Sequence, residues 1–165
     1  MKKKSFDTKI LVDKIEKITK ERLLSESIVS LDEFRKLKNK KENKCILIIE
    51  DDETMRAAMK RLFEGEGYNV KTAADGTQLS SVLDDSPIDL IILDIGLPWI
   101  NGYELAKLLK EHEELKSLPL IFVSGKTSEL DVKRGFEVGA DEYIKKPFDV
   151  DHMKKVVQQL LKVNP

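Results

Sequence analysis

The sequence holds one cysteine, two histidines and one tryptophan in 165 residues, and none of its apolar runs is long. A single thiol, Cys45, excludes an intrachain disulfide, so the fold must rest on an apolar core. Because it opens an apolar run, it reads as a small buried hydrophobe, which suits a reducing cytoplasm. His112 and His152 fall on different expected helices with no Cys or His beside them, and they read as surface residues, neither metal ligands nor a phosphohistidine site. The apolar stretches Cys45–Ile49 and Leu90–Leu93 fall far short of the roughly 18 residues of a spanning helix and read as buried strands. Met1-Lys2-Lys3-Lys4 carries the charge of a secretory n-region, but Ser5-Phe6-Asp7-Thr8-Lys9 stands where an apolar h-region would follow. Neither export nor a membrane is expected, and the expected location is the cytoplasm.

With 41% hydrophobic and 36% charged residues, the chain can bury a core, and its length suits about one domain. The net charge of -1 conceals a division. Residues 1–44 hold 14 Lys and Arg against 8 Asp and Glu, whereas residues 45–165 hold 15 against 22. A basic segment is therefore appended to an acidic domain.

From Cys45 onward, short apolar runs alternate with segments of helical period, the pattern of a βα repeat that builds a parallel sheet. Strands are expected over residues 45–49, 69–73, 88–93, 118–123 and 142–144, and helices over 54–66, 76–84, 103–112, 129–138 and 150–163. Upstream, Leu11, Ile15 and Ile18 place an amphipathic helix over residues 7–24. Ser30-Leu31-Asp32-Glu33 has capping-box spacing for a second helix carrying Leu31, Phe34 and Leu37. The run from Lys38 to Lys44 reads as a solvated linker, although it and Lys2-Lys3-Lys4 could touch nucleic acid or anionic lipid. The expected division is an N-terminal helical extension with basic linker at 1–43 and a domain at 44–163.

The strand ends carry the chemistry. The first ends in Glu50-Asp51-Asp52, the third in Asp94, the fourth in Ser124, and the fifth in Lys145-Lys146-Pro147, all at the carboxyl edge, where open α/β sheets bind ligands. Carboxylates held together repel one another, and a hard divalent cation with oxygen ligands, most simply Mg²⁺, relieves them. The triplet Glu50-Asp51-Asp52 taken alone suits a helix N-terminus decorated with acids just as well.

These residues and their spacing resemble the receiver domain of bacterial two-component response regulators, over residues 44–163. Asp51 and Asp94 are 43 positions apart, Asp94 and Ser124 30, and Asp94 and Lys146 52. The loop Asp94-Ile95-Gly96-Leu97-Pro98-Trp99-Ile100-Asn101-Gly102 is similar to the family's D-x-x-[LM]-P-x-x-[DN]-G signature. Gly139-Ala140-Asp141-Glu142-Tyr143-Ile144-Lys145-Lys146-Pro147-Phe148 is similar to its G-A-x-x-[YF]-[ILV]-x-K-P-[FI] signature. The resemblance implies a doubly wound, flavodoxin-like α/β fold of five parallel strands in the order 2-1-3-4-5, here preceded by the helical N-terminal segment. It implies phosphorylation of Asp94 and Mg²⁺ held by Asp51, Asp94 and the backbone carbonyl of Gly96, with Glu50 acting through water. It further implies Lys146 as the second cation, Ser124 and Tyr143 as switch residues, and a cis bond before Pro147. Asp52 reads as a helix-start acid rather than a ligand, and Trp99 as a packed loop residue near the pocket.

The expectation is therefore a stand-alone response regulator, phosphorylated by a sensor histidine kinase or phosphotransfer protein. Its output would be contact with a downstream protein target, with no direct DNA binding. It would catalyse only its own phosphorylation and dephosphorylation, and could pair with a second copy through the face of residues 108–163 or through the extension. Two alternatives compete. One is a Mg²⁺-dependent phosphohydrolase of the haloacid-dehalogenase type, whose D-x-D-x-[TV] signature Glu50-Asp51-Asp52-Glu53-Thr54 does not supply. The other is a non-switching interaction module, which the complete set Glu50, Asp51, Asp94, Ser124 and Lys146 disfavours.

Overall fold

The computed structural model describes residues 44–85 and 87–163. The helix expected over 7–24, the capped helix after Ser30 and most of the Lys-rich linker lie outside the described residues. Within them, strands and helices alternate: β1 (Cys45–Ile49), α1 (Glu53–Gly65), β2 (Asn69–Ala73), α2 (Gly76–Asp85), β3 (Leu90–Leu93), α3 (Gly102–Glu111), β4 (Leu120–Ser124), α4 (Glu129–Glu137), β5 (Glu142–Lys145) and α5 (Val150–Val163). The strands form one parallel sheet in the order β2-β1-β3-β4-β5, the doubly wound topology that the family resemblance implies.

The three central strands are apolar on both faces because both faces are covered. Alternate residues feed two cores. Leu47, Ile49, Ile91, Leu93, Leu120 and Phe122 pack with Leu79 of α2 and with Tyr103, Leu105, Ala106 and Leu109 of α3. Ile46, Ile48, Leu90, Ile92, Ile121 and Val123 pack with Met59 and Phe63 of α1 and with Met153, Val156, Val157 and Leu161 of α5. Each such aliphatic side chain, fully removed from water, contributes about 1.5–3 kcal/mol. β2 has one neighbour strand and is half-exposed along most of its length, which is why its pattern is the weakest.

Local chemistry sets the ends. Asp52 caps α1 by accepting from the Met55 amide, Asn101 caps α3 through the Tyr103 amide, and Ser128 with Asp131 forms a reciprocal capping box on α4. After α1 and α4 the chain reverses through Gly67 at φ 90° and Gly139 at φ 105°, a backbone conformation that side chains with a Cβ resist. Two strands start later than their apolar runs. Residues 88 and 89 are fastened through Asp89, whose carboxylate accepts from the Cys45 amide at 2.7 Å and whose own amide donates to the Cys45 carbonyl at 2.8 Å. β4 waits for Leu120 because Pro119 has no N–H, and the Leu120 amide then donates to the Asp141 carboxylate at 2.8 Å. Among the described residues no helix is long and apolar enough to cross a membrane.

Candidate functional site

Since every strand is parallel, Glu50, Asp94, Ser124 and Lys146 are delivered to one edge. In this order the sheet reverses its winding between β1 and β3, and the crevice opens there. Backbone hydrogen bonds continue past the strands and hold the residues in place. The Glu50 amide donates to the Ala73 carbonyl at 3.1 Å, the Asp94 amide to Ile49 at 3.0 Å, and the Lys146 amide to Ser124 at 2.8 Å.

Glu50, Asp51 and Asp94 each offer a carboxylate oxygen, and these oxygens lie within 4.8 Å of one another. Glu50 and Asp94 are buried and Asp51 is exposed. At the 4.8 Å limit two such charges repel by about 3.5 kcal/mol at an effective dielectric near 20. Among the described residues one ammonium pairs with two of them. The Lys146 ammonium lies 2.8 Å from Glu50 Oε2 and 3.6 Å from Asp94 Oδ1. Burial works to lower the Lys146 pKa, but the hydrogen bond to Glu50 and the charges of Asp94 and Glu50 outweigh it and hold it above the ordinary lysine value. Burial pushes Glu50 up; the hydrogen bond from Lys146 opposes this, and the charge of Asp94 adds to it. One ammonium against three carboxylates leaves negative charge in excess, and every remaining donor is oxygen. That set fits a hard divalent cation and not a soft one.

The loop after Asp94 is tightly built. The Gly96 amide donates to Asp94 Oδ1 at 3.2 Å, and the Gly102 amide closes the loop on the Ile95 carbonyl at 3.1 Å. A Cβ at Gly102 would overlap the Ile95 backbone, so the loop can close only over glycine. A Cβ at Gly96 would have only the Asp94 oxygens near it, at 3.8 and 3.9 Å, which leaves the approach to that carboxylate open. Trp99 lies over Gly76 and donates from Nε1 to the Ala74 carbonyl at 3.2 Å, tying this loop to the start of α2.

Ser124 and Tyr143 meet on a single residue. The Ser124 hydroxyl accepts from the Lys126 amide at 3.1 Å, and the Tyr143 hydroxyl donates to the Lys126 carbonyl. The Tyr143 ring lies 6.0 Å from Phe122, which in turn makes an edge contact with Tyr103 at 5.6 Å. Tyr103 donates to the Asp131 carbonyl at 3.0 Å and carries the Arg134 guanidinium over its ring at 4.4 Å. Burial, with the Tyr143 hydroxyl beside it, pushes Tyr103 above the ordinary tyrosine range, so it remains a neutral donor. The Lys146–Pro147 peptide is cis. Asp52 is the α1 cap, as its position suggested, and both histidines are exposed.

The structure thus brings Glu50, Asp51, Asp94 and Lys146 into one cluster, joins Ser124 to it through the Lys146 amide, and ties Ser124 and Tyr143 to the Lys126 backbone. Two contributors were not anticipated from the sequence. Arg56 donates from α1 to the carbonyls of Glu50 and Asp51, and Gly135 on α4 makes room for the Tyr143 ring. An arginine on a helix surface gives no sequence signal of such a role.

The family described as response regulator receiver domain matches residues 46–158. Among curated relatives, aerobic respiration control protein ArcA of Escherichia coli (strain K12) is 43% identical over 104 residues, which is 63% of this chain and 42% of ArcA. Transcriptional regulatory protein CpxR of the same strain is 38% identical over 117 residues, 71% of this chain and 49% of CpxR. The chain therefore spans about half the length of these relatives or less. Among solved structures, the receiver domain of Francisella response regulator 1452 superposes with a TM-score of 0.69 at 28% identity, covering 74% of this chain and 100% of that one.

Proposed function

The chain belongs to the response regulator receiver family, and from that membership we propose that Asp94 accepts a phosphoryl group from a sensor histidine kinase or phosphotransfer protein. The observation that carries the reading is the buried Asp94 carboxylate at the β1–β3 crevice, with two further carboxylates and the Lys146 ammonium around it. An Asp94 oxygen attacks phosphorus as the bond to the donor nitrogen breaks. The product is an acyl phosphate on Asp94, and the departing imidazole keeps the electron pair. Positioning and charge neutralisation supply the rate.

Asp51, Asp94 and the Gly96 carbonyl, with Glu50 through water, would hold Mg²⁺, which when bound neutralises charge on the transferred phosphoryl oxygens. Lys146 supplies the protein's own cation. It can exchange its Glu50 and Asp94 contacts for a phosphoryl oxygen and keep its proton, because the new partner is again an anionic acceptor that favours the charged ammonium. Asp94 also lies in reach of the Gly96 amide, a second donor at the reacting carboxylate.

The readout follows from the shared anchor. A Ser124 hydroxyl that turns to a phosphoryl oxygen releases the Lys126 amide, and the Lys126 carbonyl is where Tyr143 is tied. Phosphorylation adds about −1.5 to −2 charge and shifts the population between two arrangements of α4, β5 and α5. On this reading the chain acts on no substrate other than itself, catalysing only its own phosphorylation and dephosphorylation. It works in the cytoplasm by protein contact, and the expectation of no direct DNA binding applies to the receiver residues. The division into an extension at 1–43 and a receiver at 44–163 belongs to the same proposal.

Intact-mass measurement with a small-molecule phosphodonor tests the reading. One phosphoryl group is expected with Mg²⁺ and none after chelation by EDTA. Unchanged labelling in EDTA would overturn the role given to the acidic cluster.

A further inference from the structure

Arg56 sits in the first turn of α1, half-buried, with its guanidinium turned back toward the end of β1. One nitrogen, Nη1, donates to the Glu50 carbonyl at 3.0 Å and to the Asp51 carbonyl at 3.1 Å. These are the two peptides that carry the acidic pair. The Glu50 carboxylate has its own restraints, since Oε1 accepts from the Asp52 amide at 3.1 Å and Oε2 from Lys146 at 2.8 Å. The exposed Asp51 carboxylate accepts no hydrogen bond from the described residues, so within its rotamers its reach depends on where its backbone is held. Arg56 holds that backbone at both of its flanking carbonyls, while the Glu50 carboxylate holds it at the Asp52 amide.

We propose that Arg56 is a positioning residue for the divalent cation, fixing the Glu50–Asp51 peptides so that the Asp51 carboxylate faces Asp94. The inference rests on the cation reading above. It also carries its own sign. A guanidinium is charged at every accessible pH, and a fixed positive charge on the backbone of the acidic pair works against a cation. Its electrostatic effect on Mg²⁺ is therefore unfavourable, and only its hold on the backbone can favour binding. Partners that orient metal ligands from behind typically alter affinity by about 10–100-fold.

Isothermal titration of Mg²⁺ into wild type, Arg56→Gln, Arg56→Lys and Asp51→Asn, each checked for folding by thermal melting, separates the possibilities. Positioning predicts about tenfold weaker binding in Arg56→Gln. It also predicts recovery in Arg56→Lys, which keeps a charged donor for both carbonyls. Unchanged affinity in Arg56→Gln overturns the inference, and so does tighter binding, which is what removal of the charge alone would give. A wild type that binds no Mg²⁺, or an Asp51→Asn variant that binds as well as wild type, overturns the cation reading itself.

Discussion

Gly135→Ala should reverse the sign of its effect on stability when Tyr143 is also removed. Gly135 lies in α4 at an ordinary helical φ, so glycine is not needed there for its backbone freedom. It is needed for space. A Cβ built on it would sit 2.7 Å from Tyr143 Cδ2, 3.1 Å from Tyr143 Cε2 and 3.2 Å from Phe122 Cδ2. Alanine in a helix interior gains about 0.8–1 kcal/mol over glycine. Against this, the Tyr143 ring must either stay and be strained, at about 1–3 kcal/mol, or swing out. Swinging out forfeits its packing on Phe122, about 0.5–1.5 kcal/mol, and its hydrogen bond to the Lys126 carbonyl, about 1 kcal/mol. The net expectation for Gly135→Ala in wild type is a loss of about 1 kcal/mol. In a Tyr143→Ala background the principal clash is gone, the Phe122 contact needs only a few tenths of an ångström, and the same substitution should stabilise by about 0.5 kcal/mol. Urea denaturation of the four proteins forms a double-mutant cycle with a coupling of about 1.5 kcal/mol. An effect of equal size and sign in both backgrounds would refute the slot, and with it the physical basis for a Tyr143 ring held inward by α4.

Two further outcomes follow from the charges. The Ser128 hydroxyl holds the Asp131 carboxyl below its ordinary value, so this contribution is present above the ordinary aspartate pKa and fades as pH falls through the lowered one. Ser128→Ala should lose a helix cap, about 1 kcal/mol in urea denaturation at neutral pH, and the gap to wild type should narrow in acid; a gap that widens in acid would contradict the assignment. At the site, burial raises Glu50, so protons should begin to compete with Mg²⁺ above the ordinary glutamate range, near pH 4.3. Calorimetric Mg²⁺ affinity should therefore start to fall on the acid side at a higher pH than that, and an onset at or below it would count against a buried Glu50.

Much of this molecule could be read from its sequence, for physical reasons. β1, β3 and β4 are buried on both faces, so their apolar runs are continuous, and the segments between them carry a helical stripe on one side only. Glu50, Asp94 and Lys146 follow the parallel strands β1, β3 and β5, so their delivery to one edge follows once the sheet is parallel. Asp52 could be recognised as a cap because a cap depends on local geometry. What the sequence does not carry is contact. That Lys146 lies nearer Glu50 than Asp94, that Ser124 and Tyr143 share the Lys126 peptide, and that Gly135 is a slot for an aromatic ring all depend on how elements pack. Arg56 belongs with these, since a helix-surface arginine looks the same whether it faces water or two carbonyls six and five residues back. The late starts of β3 and β4 are smaller cases, set by the Asp89 side chain and by Pro119.

The central claim concerns one oxygen pair, and chemical mapping of the phosphoryl group tests it most directly. Wild type treated with a phosphodonor and Mg²⁺, reduced with borohydride to trap the acyl phosphate and then digested, should yield homoserine in place of Asp94 in the peptide that follows β3. Asp94→Asn should yield no homoserine at any position. Homoserine at another aspartate of wild type, or phosphorylation that persists in Asp94→Asn, would contradict the account.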